Sequence, residues 1–399
     1  MTKMITTLLF SKVTVKQGLS AALLSLFLLL CGCTNNTLNH PFTRDSDERR
    51  IWAQNIQNYH LFTPQTSFFT ISDEMRHIVK DKFGQQHKTK AIENLASWLM
   101  SDDGHNMSYD LNSNLLPIDA FESKRGNCLS FTILLVNLAK ELDIKLDYND
   151  VVLPNIWGFE ETQDNFILFR HVNAVRTTNR VFQIFDLAIE EYDFGFPQKI
   201  ITEQQAAALL NSNIAIQHLN QGKLESALHA IKTAISMDSS NAGSWINLGV
   251  IYKNNGQLLE AERALLHALD LNSSNSLAAS NLEYLYHQQG QFEKAAYFQK
   301  LALKTRQKNP YFHYKLAEDQ LQNKQYSIAK KSITKAIKLH DQDPRFFVLS
   351  SVIKQHLNKH TSALKDMVKA HQLSVDNEKK QTYSKKAILI AHKIKNAQR

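Results

Sequence analysis

From about Ala208 onward, apolar residues recur at helical spacing, and the pattern repeats every 34 residues. A small residue early in each second helix falls at Ala227, Ala261, Ala295, Ala329 and Ala363; a later one falls at Ala234, Ala268, Ala302, Ala336 and Ala370. First-helix apolar positions keep the same step at Ile214, Leu248, Leu282 and Leu316, and turn glycines at Gly222, Gly256 and Gly290. Pro310 and Pro344 open the fourth and fifth units, where a missing N–H costs nothing. The pattern predicts a stack of helix pairs in which small alanines let paired helices approach and each unit buries its apolar face on the next. Lys379 to Ala397 alternates Lys with Ile, Leu and Ala, as a solubilising terminal helix requires, with its charge read as a solvated face.

Upstream the pattern is mixed. Helical spacing runs through Ile92 to Met100, and CLSFTILLVNLAKEL, from Cys128, is apolar on most faces, which predicts a buried central helix. Strand-like runs follow at Phe166 to Val175 and Val181 to Phe185, so the order over 51–200 predicts an α+β domain. RHVNAVRTTNRVFQIFD reads as a hairpin. With Thr178 and Asn179 at the turn, 177 faces 180 and the pairing continues until His171 faces Asp186. Opposed residues project to one face with Cβ atoms roughly 4.5–5.5 Å apart, within reach of an imidazole–carboxylate hydrogen bond.

At the N terminus, Lys3, Lys12 and Lys16 precede an apolar run, Leu19 to Leu30, too short to span a bilayer stably, so 1–32 reads as an export signal. Its end, LLLCGC, resembles the lipobox of bacterial lipoproteins, with Leu30 at −3, Gly32 at −1 and Cys33 as the lipid-accepting residue. That resemblance implies a membrane anchor, each buried methylene contributing about 0.8 kcal/mol. With the non-acidic Thr34 next, it also implies an outer-membrane lipoprotein of the bacterial cell envelope, facing the periplasm. A plain cleaved signal or an uncleaved anchor helix is the alternative. The polar stretch 33–50 reads as a tether.

Composition changes little. At 399 residues, 43% apolar and 21% charged, the chain has room for two or three ordinary globular domains. A net charge of +8, with lysines gathered in the C-terminal part but no basic block carrying interleaved aromatics, sets nucleic acid aside as a partner. Cysteine usage is more informative. If Cys31 leaves with the signal and Cys33 carries lipid, Cys128 is the one free thiol, and no disulfide can form within the exported chain. A lone thiol there is either buried and inert or kept for its reactivity.

The repeats resemble the tetratricopeptide repeat family, with Trp245, Leu248, Gly249, Tyr252, Ala261 and Ala268 matching its signature in the second unit. The resemblance implies an all-α superhelix of five repeats over 201–377, closed by a capping helix over 378–399. It also implies a protein or peptide partner in a groove lined by first helices, at positions such as Ile246, Val250, Asn254, Tyr284, His287, Tyr311, Tyr314 and Val352. Ser212 and Ile216 stand where a clamp for a C-terminal carboxylate would need Lys and Asn, so that ligand is not expected.

The Gly126-Asn127 turn places Cys128 at a helix start, where free N–H groups and partial positive charge favour a thiolate. GNCLSFTILLVNLAKELDI, then HVNAV, then FD resembles the transglutaminase-like superfamily of papain-fold thiol enzymes. The resemblance implies Cys128 as nucleophile, His171 as general base and acid, and Asp186 as its orienter. The expected oxyanion donor is the Cys128 N–H, with Tyr109 or Asn127 as further candidates. The chemistry would be attack on an amide carbonyl to give a thioester, resolved by water as a hydrolase or by an amine as a transamidase. No metal or other cofactor is expected, and His105 beside Asp102 and Asp103 reads as a hydrophilic loop. Against this stands a non-catalytic envelope scaffold, or a domain that only binds peptidoglycan stem peptides. In that case Cys128 is a small buried hydrophobe, His171 bonds within the sheet and Asp186 caps a turn.

Overall fold

The computed structural model describes residues 46–59, 66–151, 159–162, 165–168, 171–178, 182–187, 198–374 and 377–397. The expected export signal and the candidate lipid-accepting Cys33 lie outside them.

The chain begins with α1 (Ser46–Gln57), a short 3-10 turn, α2 (Asp73–Phe83) and α3 (Lys88–Met100). Then come β1 (Ser108–Tyr109), α4 (Pro117–Ser123), β2 (Arg125–Gly126) and α5 (Cys128–Lys140). Six strands follow: β3 (Asp147–Val151), β4 (Phe159–Thr162), β5 (Asn165–Leu168), β6 (His171–Thr177), β7 (Phe182–Phe185) and β8 (Gln198–Ile201). The central sheet is antiparallel in the order β7-β6-β3-β8, and β4 and β5 form a separate hairpin. The apolar run read as one strand over Phe166 to Val175 is therefore divided between β5 and β6.

α5 is buried from Cys128 through Ala139, as its largely apolar text requires. It packs with Tyr148, Val172, Ala174, Phe185 and Ile201, which share one face of the sheet by strand alternation. The Thr132 hydroxyl donates to the Val172 carbonyl at 3.1 Å and ties the helix to β6. Val151, Val175 and Ile184 point the other way and join a cluster with Tyr311, Phe346 and Leu349 of the helical array.

The array is α6 (Glu203–Asn220), α7 (Leu224–Met237), α8 (Ala242–Asn254), α9 (Leu258–Leu271) and α10 (Ser276–Gln288). It continues through α11 (Phe292–Arg306), α12 (Pro310–Gln322), α13 (Tyr326–Leu339), α14 (Pro344–His356) and α15 (His360–Leu373), with α16 (Asn377–Ala397) on α15. Helices pair as α6 with α7 through α14 with α15, and all ten recurring alanines are buried. At Gly249 the approach is closest: an added Cβ would come within 2.7 Å of Leu265 Cγ across the pair.

Two further segments sit on the array from opposite sides. β5 lies against the first helices α8 and α10. α1 lies on the second helices α7 and α9, where Arg49 meets Asp270 at 2.8 Å and Trp52 packs on Trp245 and Tyr252. The polar text expected to be tether up to residue 50 is thus helical from Ser46, because its Arg49 and Trp52 have partners far along the chain.

Candidate functional site

Asn127 caps α5. Its side-chain Oδ1 accepts from Ser130 N–H at 2.9 Å, and its Nδ2 donates to Asn114 Oδ1 at 2.6 Å. That leaves Cys128 in the first turn, where backbone N–H groups have no acceptor within the helix and the macrodipole is positive. Gly126 makes room: a Cβ there would press on Ser130 Cβ at 3.1 Å.

The hairpin of β6 and β7 pairs Ala174 with Phe185 and Thr177 with Phe182, a register two residues from the one expected. The loop is longer than a two-residue turn, so the continued register sets Asn173, not His171, opposite Asp186. Because the shift is even, all three stay on one face. His171 reaches diagonally, and its Nε2 stands 2.5 Å from Asp186 Oδ2. The same ring is hydrogen-bonded to the Cys128 side chain, so Nδ1 is the nitrogen left for the sulfur.

Three side chains named from sequence are therefore assembled, and all are buried: Cys128 is 8%, His171 7% and Asp186 5% exposed. Burial works against charge on the His171 ring. The hydrogen bonds to Asp186 and Cys128, with their negative charge, outweigh it and push the ring up to about 11. The upward shift favours the imidazolium, the form able to give a proton to a leaving amine.

Sequence reading missed the support behind the carboxylate. Asn173 Nδ2 donates to Asp186 Oδ2 at 3.1 Å. Asn149 Nδ2 in turn donates to Asn173 Oδ1 and to Gln198 Oε1, each at 2.9 Å. With Asn173 Oδ1 occupied by that donor, its NH₂ must face Asp186. The signal was available in HVN: residues two apart in a strand share a face, so a polar Asn173 among valines belongs with His171.

The further oxyanion candidates fare differently. Asn127 spends its amide on capping and on Asn114. Tyr109 pairs with Gly126 through β1 and β2, but its side chain is 37% exposed. His105 is packed against the Phe121 ring, centroids 3.8 Å apart, with Nε2 2.7 Å from the Phe121 carbonyl; burial lowers its pKa and keeps it neutral. The turn is hydrophilic at the exposed Asp102 and Asp103, as expected, but the His105 side chain is buried.

A family model for the tetratricopeptide repeat matches residues 230–263. Among solved structures, MamA from Desulfovibrio magneticus RS-1 is 17% identical, covering 42% of this chain and 94% of that one, with a TM-score of 0.24. YrrB, described as a TPR protein with an unusual peptide-binding site, is 18% identical over 45% of this chain and 92% of its own, with a TM-score of 0.23. Pseudomonas aeruginosa pilF is 17% identical over 48% and 87%, with a TM-score of 0.26. No curated protein matches the chain. The chain carries a tetratricopeptide repeat region in its C-terminal part, as the matched model and the 34-residue register of paired helices show.

Proposed function

We propose that the protein is a protein-binding repeat scaffold of the bacterial cell envelope, held to the membrane by lipid on Cys33, with a transglutaminase-like domain mounted on the array. The observation that carries the scaffold reading is the unbroken register of five helix pairs, an architecture that builds extended binding surfaces. YrrB, by its description, has a peptide-binding site, which supports a peptide or protein as ligand here. Part of the first-helix side already holds β5 of the same chain. A partner therefore meets a groove composed jointly of repeats and the α+β domain. Photo-crosslinkers placed at exposed His287 and half-buried Tyr284 test this: capture of a discrete protein partner from envelopes is expected. Absence of any crosslinked species at both positions overturns the reading.

A second reading, acyl transfer by the α+β domain, is favoured by one observation, the His171 ring held between Asp186 and Cys128. The deprotonated sulfur would add to an amide carbonyl, forming the C–S bond. The oxyanion would face the first-turn N–H of Cys128, and the imidazolium would pass its proton to the departing amine. Water or a second amine would then release the acyl group. A thiol-directed probe is expected to label Cys128 at neutral pH, with His171→Ala labelling at least tenfold more slowly. Equal labelling of the two proteins leaves the scaffold reading alone.

A further inference from the structure

The side of the array that receives α1 does not end where α1 ends. Glu48 of α1 pairs with Arg263 and Arg49 with Asp270, both on α9, while Tyr59 just past α1 reaches His229 on α7. α1 therefore begins over α9 and runs back towards the first unit. The second helices beyond it, α11, α13 and α15, turn the same side outward. Stepping by 34 residues from the two α9 partners makes the change of character visible: Arg263 becomes Tyr297, Lys331 and Lys365, and Asp270 becomes Lys304, Lys338 and Gln372. The site that takes an arginine from α1 in the second unit is lysine in the next two.

Val368 of α15, three repeat steps from the buried Leu266 of α9, is exposed beside these lysines. Over 301–399 there are 21 Lys and Arg against 7 Asp and Glu, a net charge of +14, while the rest of the chain nets −6. Lys330 of α13 and Lys359 at the start of α15 stand in side-chain contact, two like charges that a polyanionic surface would relieve.

We propose that this lysine-rich side of α11, α13 and α15 docks on an anionic phospholipid bilayer. Lysines around an exposed aliphatic side chain match a headgroup layer with acyl chains beneath it, the ammonium groups meeting phosphate while Val368 enters the interface. The choice of a bilayer rests on the reading of Cys33 as a lipid anchor. The geometry allows it: the described chain begins at Ser46, at the α9 end of α1. Thirteen residue steps span at most about 45 Å. An anchor at Cys33 within that reach allows the membrane to lie along this side.

The test is co-sedimentation of a chain from Thr34 onward, which keeps every described element and carries no acyl group, with phosphatidylcholine vesicles with or without phosphatidylglycerol. Binding only to the anionic vesicles is expected. Replacing Lys331, Lys335 and Lys338 by Gln is expected to weaken it roughly 100-fold, each surface lysine being worth about fivefold. Val368→Ser is expected to weaken it about twofold or more with the salt dependence unchanged. Circular dichroism checks that both variants remain folded. Equal binding to neutral vesicles, no effect of the lysine replacements, or equally tight binding to duplex DNA with no effect of Val368→Ser would each overturn the proposal. Release of the full-length protein from membranes by Cys33→Ser tests the anchor separately, so either reading can fail without the other.

Discussion

Asp186 Oδ2 receives both the His171 ring and the Asn173 amide, and the Asn173 amide is itself held by Asn149, so the carboxylate is fixed from behind before any ring docks on it. Asn173 is fully buried, and replacing it by Ala strips an acceptor from Asn149 and a donor from Asp186. A loss of about 2–4 kcal/mol in urea-unfolding stability is expected. Pairing Asn173→Ala with Asn149→Ala should recover part of it, since the two share one bond. The His171 proton gives a second prediction. Its folded value of about 11 lies above the ordinary histidine value of 6.5, so its contribution to stability is complete below pH 6.5 and is lost as pH rises through 11. Wild-type stability should therefore fall over that window more steeply than that of His171→Gln, and parallel pH profiles would count against the ring's contact with Asp186. What could be read at this scale was parity. The hairpin register was misjudged by two residues because the loop was taken as Thr178-Asn179, yet a strand's period of two kept His171 and Asp186 on one face. The asparagines were legible in principle from the alternation in HVNAV, but the pairing of Asn149 with Asn173 comes from a strand neighbour no local pattern announces.

Each repeat closes its first turn with a residue of positive φ, and the 34-residue step makes the five directly comparable. Gly222, Gly256 and Gly290 adopt φ of 72°, 74° and 69°, while Lys324 and Asn358 hold 59° and 55° at the same place. A side chain there crowds the following carbonyl, and Asn tolerates it better than Lys. Lys324→Gly should therefore stabilise the fourth unit by about 0.5–1 kcal/mol after the extra chain entropy of glycine is subtracted, read as a rise in thermal midpoint. Asn358→Gly should give less. A fall in midpoint for Lys324→Gly would mean the turn is not strained. The repeats were legible because periodicity is local: alanine spacing, turn residues and proline starts all lie within one unit. The helical start of α1 was not, since SDERRIWAQNIQ carries little apolar text and its fit depends on Asp270 and Trp245, some 200 residues away.

The array is not one continuous core at the scale of the whole molecule. One cluster gathers α1 with α6 through α11 and ends at Phe298 and Ala302; the next begins at Tyr311. Between them α11 and α12 meet sparsely compared with α9 and α10 or α13 and α14. The α+β domain spans this thin joint, with β5 on α8 and α10 and with Val175 and Ile184 in the cluster of Tyr311 and Phe346. In a stack whose stability is a sum of units and nearest-neighbour interfaces, a weak interface lets the two sides open separately unless something else couples them. Val175 is fully buried in that coupling, and Val175→Ala removes two methyl groups there, a cost of about 1–2 kcal/mol. Native-state hydrogen exchange should then show α12 to α15 opening at lower free energy while α6 to α10 keep their protection. Equal loss of protection on both sides would mean that the joint transmits stability by itself, and that the sheet is a passenger on the array rather than its clasp.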